Sequence, residues 1–134
     1  LHAGVPRLLA ACTHLPGLHD GDIRRVALEG YPGLQAREVL GNRSYKSDDK
    51  AKQTPERLIA RKDLITALEH GQTRLGLGLK VTHAQRDALA DDASGDSLDA
   101  VLCLLQAAWA AGQGAPAYGL PADMDSLEGW IVTA

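Results

Sequence analysis

Apolar positions recur at helical spacing in five stretches of the chain and at strand spacing in one. The longest helical stretch begins at Asp96, carries apolar residues at every third or fourth position, and ends at Gly112. Thr54 followed by Pro55 predicts the start of a second helix, which runs to Glu69. Shorter helices are predicted for residues 3–13, 34–40 and 83–89.

Residues 23–29 have the character of a buried strand, and Gly30 ends it. A single strand leaves its backbone donors and acceptors unpaired, so its partner is missing from the chain or comes from the weaker segments or another subunit. Because exposed strand edges recruit other strands, we predict a possible homodimer through this segment. The pattern therefore predicts a helix-rich α/β fold with one strand and about five helices.

The composition is typical of a folded globular protein, with 134 residues, 45% hydrophobic and 23% charged. No run of about 18 apolar residues and no signal-peptide pattern is seen, which predicts no membrane partner. Cys12 and Cys103 lie in apolar helical patterns, which favours reduced, packed thiols over a disulfide or a zinc site. We expect a cytoplasmic protein in which residues 1–134 form a single domain or a domain fragment.

The charges are distributed unevenly, although the net charge of the chain is only −3. Residues 43–62 hold seven basic and three acidic side chains, a net charge of +4, whereas residues 87–99 hold five acidic and no basic ones. A basic surface attracts a polyanion and grouped carboxylates attract a hard cation, so nucleic acid is a predicted partner. The alternative is that these surface segments are simply charged.

Two carboxylates open the longest predicted helix, at Asp96 and Asp99, and their spacing puts them on one face. Cys103 and Gln106 continue this polar stripe. Two neighbouring carboxylates repel each other and favour a bound cation. The other interpretation is that the acids cap the helix and complement its dipole. The spacing leaves both interpretations open.

Four short motifs occur in an order and at a spacing that resemble a known family. They are Ala27–Gly33, Ser44–Lys46, Asp96–Cys103 and Glu128–Ile131. Together, over about residues 20–133, they resemble the C-terminal half of the predicted nucleases called the domain of unknown function 429 family. The resemblance implies the C-terminal part of a ribonuclease H-like fold, related to Holliday-junction resolvases.

The resemblance also implies a metal-dependent nuclease centre. Glu29, Asp96 and Asp99 match the catalytic carboxylates and would hold Mg²⁺ or Mn²⁺, which activates a water for phosphodiester cleavage. The family's first catalytic aspartate lies on an upstream strand and has no counterpart here. We therefore expect the chain to be a fragment that is inactive by itself.

Three basic side chains are predicted from their charge alone to contact phosphates, namely Lys46, Arg57 and Arg61. The predicted function is that of a metal-dependent nuclease or a nucleic-acid-processing protein of ribonuclease H-like type. The alternative is a non-catalytic helical interaction domain that binds a partner protein through its basic loop.

Overall fold

A computed structural model describes residues 4–134, so the predicted helix start at Ala3 lies outside the described residues. The helices are α1 (Val5–Ala10), α2 (Pro32–Leu40), α3 (Pro55–Glu69), α4 (His83–Asp91) and α5 (Asp96–Gln113). Two strands, β1 (Thr13–His14) and β2 (Asp22–Val26), and a 3-10 helix at Lys50–Lys52 complete the regular structure of these residues. A helix-rich α/β fold is thus confirmed, while the ribonuclease H-like assignment stays a prediction.

The chain divides into two compact units. One comprises Tyr31–Trp109 and contains α2, α3, α4 and most of α5, and we refer to it as the helical unit. The other combines Leu1–Gly30 with Ala110–Ala134 and contains both strands, and we refer to it as the strand unit. None of the helices within residues 4–134 combines the length and the apolar character that crossing a bilayer requires.

The sheet of the strand unit has two strands, so the expectation of a single strand was wrong. β2 pairs in parallel with β1, and Thr13 lies opposite Asp22. Gly21 permits this close approach, because a Cβ there would lie 2.6 Å from the carbonyl oxygen of Cys12. The sequence predicted helix and loop for β1, since a strand of two residues has too little pattern to recognise. β2 is therefore paired within the chain, and the homodimer stays a prediction.

Glu29 lies beyond the strand that was expected to carry it. β2 ends at Val26, and Glu29 forms a single parallel bridge with Ile131. Its carbonyl accepts a hydrogen bond of 2.8 Å from the N–H of Val132. The backbone of Glu29 is therefore fixed, whereas the residue as a whole is exposed.

The core of the helical unit is formed mainly by α3 and α5. Leu64, Ile65 and Leu68 of α3 are fully buried, as are Leu98 and Leu102 of α5. Their spacing of three or four residues is the period that predicted both helices. Burying an aliphatic side chain of this size stabilises a fold by about 1.5–3 kcal/mol, so these contacts dominate the stability of the unit.

Candidate functional site

A groove of about 520 Å³ lies on the helical unit, lined by α2, the loop that follows it and the first turn of α5. Its charged lining residues are Arg37, Arg43, Lys46 and Asp99. Three cations and one carboxylate give the lining a charge of +2, in a chain whose net charge is −3. Tyr31 and Tyr45 also line it. We refer to this feature as the basic groove.

Asp99 holds the loop that forms one wall of the basic groove. Its Oδ1 accepts a hydrogen bond of 2.5 Å from the Tyr45 hydroxyl, and its Oδ2 pairs with Nζ of Lys46. Burial of Tyr45, followed by its hydrogen bond to Asp99, raises the pKa of the hydroxyl, so it stays a neutral donor. The same carboxylate raises the pKa of Lys46 through its hydrogen bond. Tyr45 is only 8% exposed.

The two arginines predicted to contact phosphates bind the backbone of the same loop. Arg61 is buried, and it donates to the carbonyl oxygens of Ala90 at 2.6 Å and Tyr45 at 2.9 Å. Arg57 donates to the carbonyl oxygen of Lys46 at 2.8 Å. Neither side chain is among those that line the basic groove. The observed contacts are therefore with the backbone, and the phosphate contacts of Arg57 and Arg61 stay predictions.

The polar stripe of α5 fixes a second wall of the groove, at Tyr31. Gln106 is fully buried, and its side-chain oxygen accepts the N–H of Tyr31 at 3.0 Å. The Gln106 amide also donates to the carbonyl oxygen of Tyr31 at 3.3 Å. The Tyr31 ring lies against Gly33, where a Cβ would come within 2.9 Å of ring atom Cζ. Gln106 and Asp99 thus position the walls of one groove.

The cap of α5 is supplied by Asp92, which the sequence analysis did not assign. One carboxylate oxygen accepts the N–H of Ser97 at 2.9 Å, and the other accepts the hydroxyl of Ser94 at 2.6 Å. The hydrogen bond from Ser94, followed by that from the Ser97 backbone, lowers the pKa of Asp92. Asp96 is exposed in the first turn of the helix. The capping hydrogen bond at this helix start is therefore accepted by Asp92 and not by Asp96 or Asp99.

Glu29, Asp96 and Asp99 are the metal ligands that the resemblance predicts. Both carboxylate oxygens of Asp99 accept hydrogen bonds, one from Tyr45 and the other from Lys46. Within residues 4–134, no three or more His, Cys, Asp or Glu side chains form a group that could hold a metal ion. Glu29 belongs to the strand unit. The binding of Mg²⁺ or Mn²⁺ by these three carboxylates stays a prediction.

Cys103 is not arranged as a nucleophile. It is partly buried on the polar stripe of α5. Burial, followed by the charge of Asp99, raises the pKa of its thiol, and the thiolate is the nucleophilic form. This agrees with the predicted packed thiol, whereas Cys12 was expected to pack and is exposed in the turn after α1.

Three residues of the basic groove were not assigned a role from the sequence, namely Tyr31, Arg37 and Arg43. Arg43 belongs to the basic segment, residues 43–62, but was not singled out there, and Arg37 lies outside that segment. Gly41 lies between the two arginines with a φ of +59°, a conformation that favours glycine. A glycine that ends a helix between two arginines was the sequence feature that could have indicated these groove residues.

Comparisons of the chain with protein-family models, with curated proteins and with solved structures found no match. The resemblance to the domain of unknown function 429 family therefore stays a prediction. Any function of this chain is thus inferred from its own geometry, and above all from the basic groove.

Proposed function

We propose that this chain binds nucleic acid through the basic groove, as part of a nucleic-acid-processing protein. The observation that carries the proposal is the lining of the groove, in which three cations and two tyrosines accompany one carboxylate. Cations attract the phosphate backbone, and a guanidinium can bind a phosphate through two hydrogen bonds. Because the chain as a whole is negative, the positive groove is a local feature.

Arg37 and Arg43 are the side chains best suited to contact phosphates. Arg37 is exposed and makes no ion pair with any other described residue. Arg43 pairs with Asp63 at 2.7 Å, but both side chains are about half exposed. An exposed pair of this kind contributes only about 0–1 kcal/mol, so a phosphate can compete for the guanidinium.

Lys46 supplies a third cation that is already oriented. Its ammonium group has three donors, and the pair with Asp99 uses only some of them. The side chain is 41% exposed, so the remaining donors are open to a ligand. Of the three phosphate contacts predicted from the sequence, Lys46 is thus the one that the groove supports.

Metal-dependent cleavage would add a catalytic step to this binding function. The resemblance predicts it, with Glu29, Asp96 and Asp99 as ligands, while the chain alone is expected to be inactive. Incubation with labelled DNA or RNA and Mg²⁺ or Mn²⁺ tests this expectation. Cleavage that needs the metal and is lost in Asp99→Asn would contradict the expected inactivity and support the nuclease.

The alternative is a non-catalytic module that binds an acidic partner protein. The same three cations suit a run of carboxylates as well as a run of phosphates. The exposed ring of Tyr31 favours nucleic acid, because aromatic faces stack on bases. We therefore regard the acidic peptide as the second candidate ligand.

Fluorescence anisotropy with labelled DNA and RNA oligonucleotides tests the proposal. We expect binding that weakens as the salt concentration rises from about 50 to about 200 mM, because phosphate contacts release counterions. The double variant Arg37→Gln/Arg43→Gln should lose most of this binding. The matched control is Lys50→Gln/Lys62→Gln, which removes two exposed cations of the basic segment that do not line the groove.

Three outcomes separate the candidates. Loss of binding only in the arginine variant supports the groove as the nucleic-acid site. Equal loss in both double variants would mean that the charge of the segment acts without a defined groove, which contradicts the proposal. Binding of poly-glutamate but of no oligonucleotide would favour the interaction module.

A further inference from the structure

We infer that the basic groove takes single-stranded nucleic acid and stacks an unpaired base on the ring of Tyr31. The inference rests on the proposed nucleic-acid function and adds the class of ligand. It follows from the exposure and support of Tyr31, and from the cations that line the same groove.

The two tyrosines of the groove differ in what they offer a ligand. Tyr45 is 8% exposed and its hydroxyl is bound to Asp99, so its ring belongs to the core of the helical unit. Tyr31 is 41% exposed. Its ring is therefore the aromatic surface of the groove that a base can reach.

The position of Tyr31 is fixed before any ligand binds. The buried Gln106 amide accepts a hydrogen bond from the N–H of Tyr31 and donates one to its carbonyl oxygen, and the ring lies against Gly33. A Cβ at Gly33 would come within 2.9 Å of the ring, so the glycine leaves room for this arrangement. A group held in its binding conformation loses little freedom on binding, which favours affinity.

Ring and cations together match the two parts of a nucleotide. The base offers a flat apolar face, and the phosphate offers the anion that Arg37, Arg43 and Lys46 would contact. In a duplex the faces of the bases are covered by their neighbours, and the backbone and the base edges in the grooves remain accessible. A site for phosphates alone would bind duplex and single strand without need of the ring.

The size of the groove fits a short piece of single strand. Its volume of about 520 Å³ falls in the range of about 300–1,000 Å³ that is usual for ligand sites. A groove of this size holds only a short segment of a strand. The rest of a bound strand would lie outside the groove.

Anisotropy titrations with three labelled ligands of equal length test the inference, namely a single strand, a duplex and a single strand without bases. We expect the single strand to bind more tightly than the other two. Tyr31→Leu should weaken single-strand binding roughly 5- to 150-fold, the loss that corresponds to one stacked base. Duplex binding should not change, and Tyr31→Phe should keep the affinity for the single strand.

Two further variants make the test specific. Gly33→Ala displaces the Tyr31 ring without removing it and should weaken single-strand binding. Trp130→Leu removes an aromatic side chain of similar exposure, 42%, from the strand unit and should have no effect. Circular dichroism spectra equal to that of the wild type show that each variant is folded.

The inference and the proposed function fail in different ways. Equal affinity for single strand and duplex, with no effect of Tyr31→Leu or Gly33→Ala, would overturn the single-strand inference and leave nucleic-acid binding intact. Absence of binding to all three ligands would overturn both. Equal binding of the intact and the base-free single strand would show that only phosphates are recognised, which also overturns the inference.

Discussion

The helical unit and the strand unit differ in how completely their apolar side chains are buried. In the helical unit Leu64, Ile65 and Leu68 are inaccessible to solvent. In the strand unit Ile23 is 76% exposed and Leu127 is 93% exposed. Long helices can bury a continuous face, whereas a sheet with strands of two and five residues has little surface to cover. We therefore expect the helical unit to contribute most of the stability of the chain.

The two units also differ in how polar side chains are used. In the helical unit the side chains of Arg61, Asp99 and Gln106 bind distant parts of the chain. In the strand unit the acidic Asp22 binds Arg24 and Arg25, which are its close neighbours in the sequence. Buried long-range bonds fix a shape, and exposed local ones contribute little to stability. The basic groove accordingly lies in the helical unit, where long-range hydrogen bonds fix the positions of its walls.

The strongest test of this comparison is a matched pair of isoleucines. Ile65→Ala creates a cavity in the core of the helical unit and should lower the free energy of unfolding by about 2–5 kcal/mol. Ile23→Ala removes an exposed side chain and should change it by no more than about 0.5 kcal/mol. Urea unfolding followed by circular dichroism measures both. Similar losses for the two variants would contradict the unequal burial of the units.

Arg61 allows a sharper test within the helical unit. Arg61→Met keeps the aliphatic part of the side chain but leaves the carbonyl oxygens of Tyr45 and Ala90 without this donor. An unsatisfied buried acceptor costs about 1–3 kcal/mol, so we expect a loss of about 2–4 kcal/mol. The control is Lys62→Met at the neighbouring exposed position, with an expected change within about 0.5 kcal/mol.

Arg61→Met also separates positioning from phosphate binding. If Arg61 contacts phosphate directly, the variant should reduce the dependence of nucleic-acid binding on salt. If it only holds the loop, the folded variant should keep that dependence. Unchanged stability together with a reduced salt dependence would support the phosphate contact that the sequence predicts for Arg61.

Asp92 gives the smallest expected effect and tests the start of α5. Its hydrogen bonds to Ser94 and Ser97 lower its pKa in the folded state. The stabilisation is therefore complete above the unfolded-state value of about 3.9 and is lost as the pH falls towards the lower folded-state value. Asp92→Asn leaves one accepting oxygen in place of two, so it should cost about 1 kcal/mol at neutral pH and reduce the loss of stability in acid.

Unfolding curves at a series of pH values measure this effect. The control is Asp87→Asn, an exposed aspartate of α4. If both variants follow the same pH dependence, the hydrogen bonds of Asp92 do not stabilise the folded state in particular, and the assignment of the cap is contradicted.

The long helices were predictable because their signal is local. α3 and α5 carry apolar residues at helical spacing over 15 and 18 residues, and proline or aspartate marks their first turns. β1 was missed because two residues cannot display a period. In the same way the end of β2 was predicted three residues too late, since Ala27 and Leu28 continue the apolar run beyond Val26.

The basic groove was not predictable because its contacts are distant in the sequence. Asp99 meets Lys46 across 53 positions, and Gln106 meets Tyr31 across 75. The sequence identified the polar stripe to which Asp99 and Gln106 belong, but it offered a metal and a cap as the reasons for it. No local pattern indicates which backbone a buried amide will bind.

The two bonds from Gln106 to Tyr31 have a consequence for how this protein can vary. The side-chain amide of Gln106 bonds to both backbone groups of Tyr31, as a residue of a neighbouring strand would, because it offers the same donor and acceptor as a peptide group. Exchange of this one interior side chain would therefore loosen an aromatic ring at the surface. If Tyr31 stacks on a base, the affinity would then depend on a buried residue that does not line the basic groove.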